Sequence, residues 1–487
     1  MQGNPPGRGS AVRSGVLTGL STAAVTGAAA VAGAILSRKF GHGPEAAGLL
    51  AAYGVYLALV LVANALRVVV LPRLARARAE GALGHEVGSW AAALAVPLAP
   101  IAAVALLWPS GIADALTGGG GAKAAAATTL LPWLVPAAVA QIGAGVSASG
   151  LAALDDYRTA AIGFALGAVS GLVVILTFVD RHGVVAFGWG LAVNGVVALL
   201  VPLVPLVAHG GVGLPRHGVF ARLWELAEGV ALPFALQGLF VIGNRFAIGL
   251  GATQGTTFSY AYLIASSLVA VTATSVALVS SVPLTRGGFT PALGVRHVVA
   301  ASWLSLAIVA AAAGVFALAG ERVVHVALGS HYAGATGTEL GRLVVYLSPW
   351  MVASVAVSVT FPLLFVRGRA RWLPVVAVGA LLLHVPIVWG GRAAFGVAGI
   401  AGAMAVTTAG ILTVLLLALA IFERTALGVL QAAAACGGLA LATFGVASVV
   451  LGPVPGAAVG LAAYVAVLLA WKPAGLRAAW TYVRALQ

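Results

Sequence analysis

Apolar residues in this chain do not alternate with polar ones; they run together in blocks broken by short polar connections. The blocks fall at 15–37, 47–71, 89–109, 128–153, 159–179, 184–208, 230–251, 257–282, 298–319, 342–366, 373–391, 395–421, 427–450 and 455–471. A helix needs about 20 apolar residues to cross the hydrocarbon core, and most blocks reach or exceed that. The period-two pattern of an outer-membrane barrel is absent. The pattern predicts an all-α polytopic membrane protein of about fourteen transmembrane helices. Two stretches depart from it. Pro215 to Gly229 sets Val219, Phe220, Leu223, Trp224 and Ala227 on one helical face and Arg222, Glu225 and Glu228 on the other, which predicts a helix lying on the membrane surface. The tail from Ala474 does the same through Leu476, Trp480 and Val483.

The blocks repeat. Val70-Leu71-Pro72-Arg73-Leu74 closes the second and Ser281-Val282-Pro283-Leu284-Thr285 the eighth, each after a glycine turn (Gly41, Gly251) and a tyrosine pair (Tyr53 and Tyr56, Tyr260 and Tyr262). Leu131-Pro132-Trp133 and Ser348-Pro349-Trp350 form a second match at nearly the same offset. An even number of spans separates the copies, so the expectation is two six-helix lobes in parallel repeat with a site at the interface between the repeats. The expected domains are 1–210, 211–424 beginning with the surface helix, and a two-helix extension with its tail at 425–487.

Composition sharpens this picture. The 487 residues are 61% hydrophobic and only 8% charged, where soluble proteins carry about 25%, and the mean hydropathy is +1.07. A net charge of +14 would suggest nucleic acid in a soluble protein. Here the cations sit in short connections, 17 on the N-terminal side of the alternating loops against 7 on the other, so both termini are expected to be cytoplasmic and no nucleic acid is expected. The run from Gly15 to Ser37 is too long for a signal-peptide core of about 7 to 15 residues and reads as an uncleaved first helix. The single cysteine, Cys436, excludes an intrachain disulfide and a cysteine metal cluster; no metal or cofactor is expected.

Two cations remain inside predicted spans. An ionised side chain in hydrocarbon is costly, so it pairs, snorkels or faces a wet cavity. On the second block Tyr53, Tyr56, Asn64 and Arg67 fall on one helical face. On the seventh, Gln237 and Asn244 share a face that Arg245 adjoins, with Tyr262 on the next helix as a further lining residue. Arg245 is expected about six residues, roughly 9 Å, from the outer end. Gln141, Asn194 and His384 read as hydrogen bonds between helices. All twelve acidic residues fall in connections or surface helices. A pump exporting cationic drugs by ion exchange needs a carboxylate within the membrane. Arginines without acids favour a phosphate or diphosphate, which a guanidinium binds as a bidentate fork.

With Leu36-Ser37-Arg38-Lys39-Phe40-Gly41 ahead of Tyr53, Leu71-Pro72-Arg73-Leu74-Ala75 after it, and Phe246 to Leu284 as the matching pair of helices, the chain resembles the MOP flippase superfamily. The extra C-terminal helices resemble its lipid-linked oligosaccharide branch, which includes Wzx-type polysaccharide flippases and MurJ-type lipid II flippases. The resemblance implies a non-enzymatic, alternating-access flippase of the bacterial cytoplasmic membrane, moving an undecaprenyl-pyrophosphate-linked saccharide, with polysaccharide-synthesis enzymes as partners. Arg67 and Arg245 would then contact the diphosphate. Unlike the lipid II branch, Gly15 to Ser37 carries no cation. A lipid II flippase, a multidrug exporter of the same superfamily and a membrane polymerase stay open as alternatives. For the polymerase, the outer stretches supply only Glu321, His325, His331 and Glu339.

Overall fold

The computed structural model describes residues 8–486 except 217, 288 and 289; the side chains of 8–20, 22–23, 61–62, 64–69, 72, 271–287, 366 and 483–486 lie outside the described set. Among the described residues the elements are helical, and ten helices are long and apolar enough to cross a membrane. This is a multi-pass membrane protein. It divides into two compact units, Met1–Gln237 and Gly238–Gln487.

The first unit holds α1 (Arg8–Phe40), α2 (Pro44–Ala79), α3 (Leu83–Leu107), α4 (Pro109–Thr117), α5 (Gly121–Ala153), α6 (Tyr157–His182), α7 (Val185–Ala208) and the first part of α8 (Val219–Ile248). Proline at the first helical positions starts α2 and α4, where a missing N–H costs nothing. Asp156 caps α6 by accepting from the Thr159 N–H at 3.0 Å. Packing is close where glycine permits it. A Cβ on Gly167 would stand 2.7 Å from Asn194 Oδ1, and one on Gly171 2.5 Å from the Gly190 carbonyl, so the every-fourth-residue glycines of α6 form its seam with α7.

The second unit continues α8 and adds α9 (Ala252–Gly287), α10 (Pro291–Leu328), α11 (Ala335–Tyr346), α12 (Ser348–Val366), α13 (Leu373–Ala418), α14 (Phe422–Val450), α15 (Pro453–Trp471) and α16 (Ala474–Leu486). Helix α13 is one element only by hydrogen bonding. At Gly396 φ is +59°, and His384 lies beside Thr407, so its two halves fold back as a hairpin. These arms are the expected spans 373–391 and 395–421. The C-terminal helices α14, α15 and α16 pack on α10, where Tyr482 hydrogen-bonds His297 at 3.1 Å.

Taken separately, the units repeat one packing scheme. In the first, α2 packs on α5, α5 on α7, and α3 on α5; in the second, α9 packs on α12, α12 on α13, and α10 on α12. The adjacent pair α6 and α7 has its counterpart in the two arms of α13. The six-helix repeat expected from the proline and tyrosine matches is therefore a repeat of contacts.

The helix expected at Pro215 to Gly229 does not lie apart from the span that follows it. Its helical part, from Val219, is continuous with the seventh span as α8, and its charged side packs on protein where an interfacial helix would turn it to water. Phe220 is 83% and Trp224 56% exposed, whereas Arg222 is 7% exposed and faces protein. In a bilayer the outward medium is apolar, so the carbon-rich side turns out and the charges turn in.

Candidate functional site

The sequence candidates separate by unit. In the first, Tyr53 and Tyr56 stack on one face of α2 with ring centroids 5.4 Å apart and planes 16° apart, and Tyr56 is buried. The side chains of Asn64 and Arg67, two and three turns further along the same helix, lie outside the described residues. Gln237, the last residue of this unit, is buried.

In the second unit Asn244 is buried, and its Oδ1 accepts from the Ser259 hydroxyl at 2.8 Å, tying α8 to α9. Tyr262, one turn beyond Ser259, stacks on Phe240 at 3.9 Å and 10°, and its other side meets Trp350 of α12 at 5.1 Å. Asn244 and Tyr262 thus belong to one polar and aromatic seam joining α8, α9 and α12. The neighbouring seam to α13 is held by His384, whose Nδ1 is 2.8 Å from Thr407 Oγ1 and whose Nε2 is 3.2 Å from the Leu239 carbonyl. The Thr407 hydroxyl also donates to the Ala403 carbonyl of its own helix at 2.9 Å. In the first unit Gln141 donates to Asn194 at 3.2 Å. The lone polar residues of the spans are helix-to-helix hydrogen bonds.

Arg245 stands elsewhere than the apolar block suggested. Helix α8 ends at Ile248, which puts Arg245 in its last turn rather than six residues inside. Its Nη1 lies 3.6 Å from where a Cβ on Gly249 would be, and Nη1 of Arg392 lies 3.5 Å from the same point. Arg392 comes from the tip of the α13 hairpin and also stands over the Phe246 ring, 5.9 Å from its centroid. Two guanidinium groups therefore converge on the turn after α8. The C-terminal carbonyls of a helix favour cations, which accounts for part of this placement. Each guanidinium offers parallel N–H donors of the kind that pair with carboxylate or phosphate oxygens. Arg392 was not among the sequence candidates. Its signal was the three-residue gap between the blocks 373–391 and 395–421, which forces a hairpin and brings its tip to a fixed place.

The opposite arrangement occurs in the first unit. Arg222 reaches Glu86 at 2.8 Å and Glu225 at 2.9 Å, and Arg73 reaches Glu225 at 3.0 Å. Trp90 Nε1 donates to Glu86 at 3.0 Å, with the Arg222 guanidinium 5.5 Å from the centre of its ring. This knot joins the end of α2, the start of α3 and the start of α8. All twelve carboxylates are among the described residues, and each lies in a connection, within about two turns of a helix end, in a short helix between spans or in the opening turns of α8. No cluster of three metal-ligating side chains occurs among the described residues.

No protein-family model matches the sequence, and no curated protein matches it. Solved structures do match in three dimensions. The chain is similar to the lipid II flippase MurJ in its inward closed conformation, with a TM-score of 0.75 at 11% identity, over 94% of this chain and 99% of that one. It is similar to an inward-facing multidrug resistance MATE family transporter of the MOP superfamily, with a TM-score of 0.61 at 15% identity, over 84% and 95%. A third match, at a TM-score of 0.54 and 14% identity over 87% and 96%, is a MOP superfamily transporter from Pyrococcus furiosus whose binding pocket is described as of reverse polarity. The chain has the MOP fold.

Proposed function

We propose that this protein is an alternating-access flippase that moves an undecaprenyl-pyrophosphate-linked saccharide across the bacterial cytoplasmic membrane during cell-surface polysaccharide synthesis, with both termini cytoplasmic. The observation that carries the reading is the convergence of Arg245 and Arg392 on Gly249, a cationic fork suited to a diphosphate. The distribution of carboxylates supports it, because no acidic residue stands in the middle of a span to hold a coupling ion beside a cationic drug. Asn64, Arg67, Tyr53 and Tyr56 of α2, and Gln237, Asn244 and Tyr262, are the other proposed substrate contacts, with the synthesis enzymes of the same saccharide as partners.

A lipid II flippase is the second reading, favoured by the likeness in fold to the flippase MurJ. The absence of a cation from Gly15 to Ser37 weighs toward another saccharide.

Reconstituted vesicles loaded with fluorescent undecaprenyl-diphosphate saccharides test the proposal. Arg245→Ala is expected to abolish translocation while the protein stays folded and inserted. Unchanged flipping by that variant removes Arg245 from the mechanism. Efflux of a cationic dye driven by a pH gradient, without lipid flipping, overturns the flippase reading in favour of a drug exporter.

A further inference from the structure

The α13 hairpin carries two kinds of glycine. A Cβ on Gly391 would meet the Gly399 carbonyl at 2.6 Å, and one on Gly399 would overlap Gly391, so these two let the arms touch backbone to backbone. Gly390 and Gly402 are different: nothing in the protein lies within 4 Å of a Cβ built on either. Both open into a crevice of about 700 Å³ whose apolar wall includes Ile387, Phe395 and Val406. From Phe395 to Val406 the arm rises about 16 Å at 1.5 Å per residue, roughly half of a hydrocarbon core about 30 Å thick. The crevice therefore runs the depth of one leaflet.

Its end is polar. Tyr346, Phe395 and Ala398 are shared with a second recess of about 380 Å³, lined by Thr338, Glu339 and Arg342 of α11. Helix α11 is a short element between spans, so its charges sit at headgroup level. Glu339 and Arg342 are one turn apart, yet no ion pair joins them to each other or to another described residue. A recess holding one carboxylate and one guanidinium, opening into an apolar trench of leaflet depth, complements a zwitterionic head with a single chain below it.

We infer that this crevice is a phospholipid site, taking one acyl chain along the α13 hairpin, the phosphate on Arg342 and a primary ammonium on Glu339. The chemistry indicated is a phosphoethanolamine lipid, and the site is independent of Arg245 and of the transport reading.

Native mass spectrometry of the intact protein, released from detergent in the presence of phosphatidylethanolamine, phosphatidylcholine or phosphatidylglycerol, tests this directly. Phosphatidylethanolamine is expected to be retained best. Arg342→Gln should weaken its retention about tenfold, the scale of one lost charge-assisted contact. Glu339→Gln should bring phosphatidylethanolamine down to the level of phosphatidylglycerol. Gly402→Leu and Gly390→Leu, whose Cβ atoms would meet no protein atom within 4 Å and whose side chains start into the crevice, should each abolish retention with the melting temperature unchanged. Preferred retention of phosphatidylglycerol, retention untouched by the leucine variants, or displacement of the phospholipid by an undecaprenyl-diphosphate saccharide at equal concentration would overturn the assignment.

Discussion

Two groups of arginines in this molecule are handled in opposite ways. In the first unit Arg222 is shared between Glu86 and Glu225 beside the Trp90 ring, while Arg73 also reaches Glu225. In the second, Arg392 lies over the Phe246 ring and turns its Nη1 toward the point that Arg245 also approaches. One group is neutralised within the fold, and its charges serve architecture. The other brings two guanidinium groups of the second unit to the same turn, around Gly249.

The comparison can be broken most forcefully at the first group. Arg222→Ala takes the guanidinium away from Glu86, which is buried beside Trp90, and loss of one partner of a buried pair costs about 3–5 kcal/mol. A large fall in detergent melting temperature is expected. The double variant Glu86→Leu with Arg222→Met should recover most of it, because a buried pair replaced by packed apolar groups is close to neutral. A single variant as stable as the parent would show that the knot is ornamental to the fold.

Gly88→Ala gives a smaller effect of the same kind. A Cβ there would overlap the Gly213 carbonyl, so the connection after α7 must shift off α3. Forced overpacking costs roughly 1–3 kcal/mol. A stability unchanged from the parent would mean that the connection yields freely.

The second group is sharpened by Arg392→Gln. Stability should hold, while the affinity for a lipid-diphosphate saccharide should fall about tenfold, or about 1.4 kcal/mol. Arg371→Gln, which removes an exposed cation over Trp372, is the control and should leave both unchanged. Equal loss in the two variants would reduce the fork to bulk positive charge.

Much of the fold was legible because the bilayer imposes its own arithmetic. Block lengths marked the spans, and Pro72, Pro283 and the two Pro-Trp pairs marked the repeat. What the pattern could not supply was the sense of a face. Phe220 and Trp224 were legible as a membrane-facing side, but the pattern did not show that Arg222 on the opposite side packs on protein. Depth was the other gap. The block 230–251 continues through Gly249 and Leu250, which are apolar but follow the helix end at Ile248, so Arg245 looked deeper than its place in the last turn. Arg392 was hidden because a connection shows its charge in the sequence but not which neighbour its hairpin leans on. Asn244 and His384 were legible as polar groups in apolar runs; their partners, Ser259 and Thr407, only in three dimensions.

The connection that follows α7 has a consequence of its own. Gly213 N–H donates to the Gly84 carbonyl at 2.9 Å, the Arg216 N–H to Ser89 Oγ at 3.0 Å, and His85 meets the Leu214 carbonyl at 2.9 Å. A protease must draw several residues of extended chain into its cleft, and here that chain is already stitched to the head of a helix. Limited digestion should therefore pass over the very stretch where an eye trained on sequence would have expected the first nick.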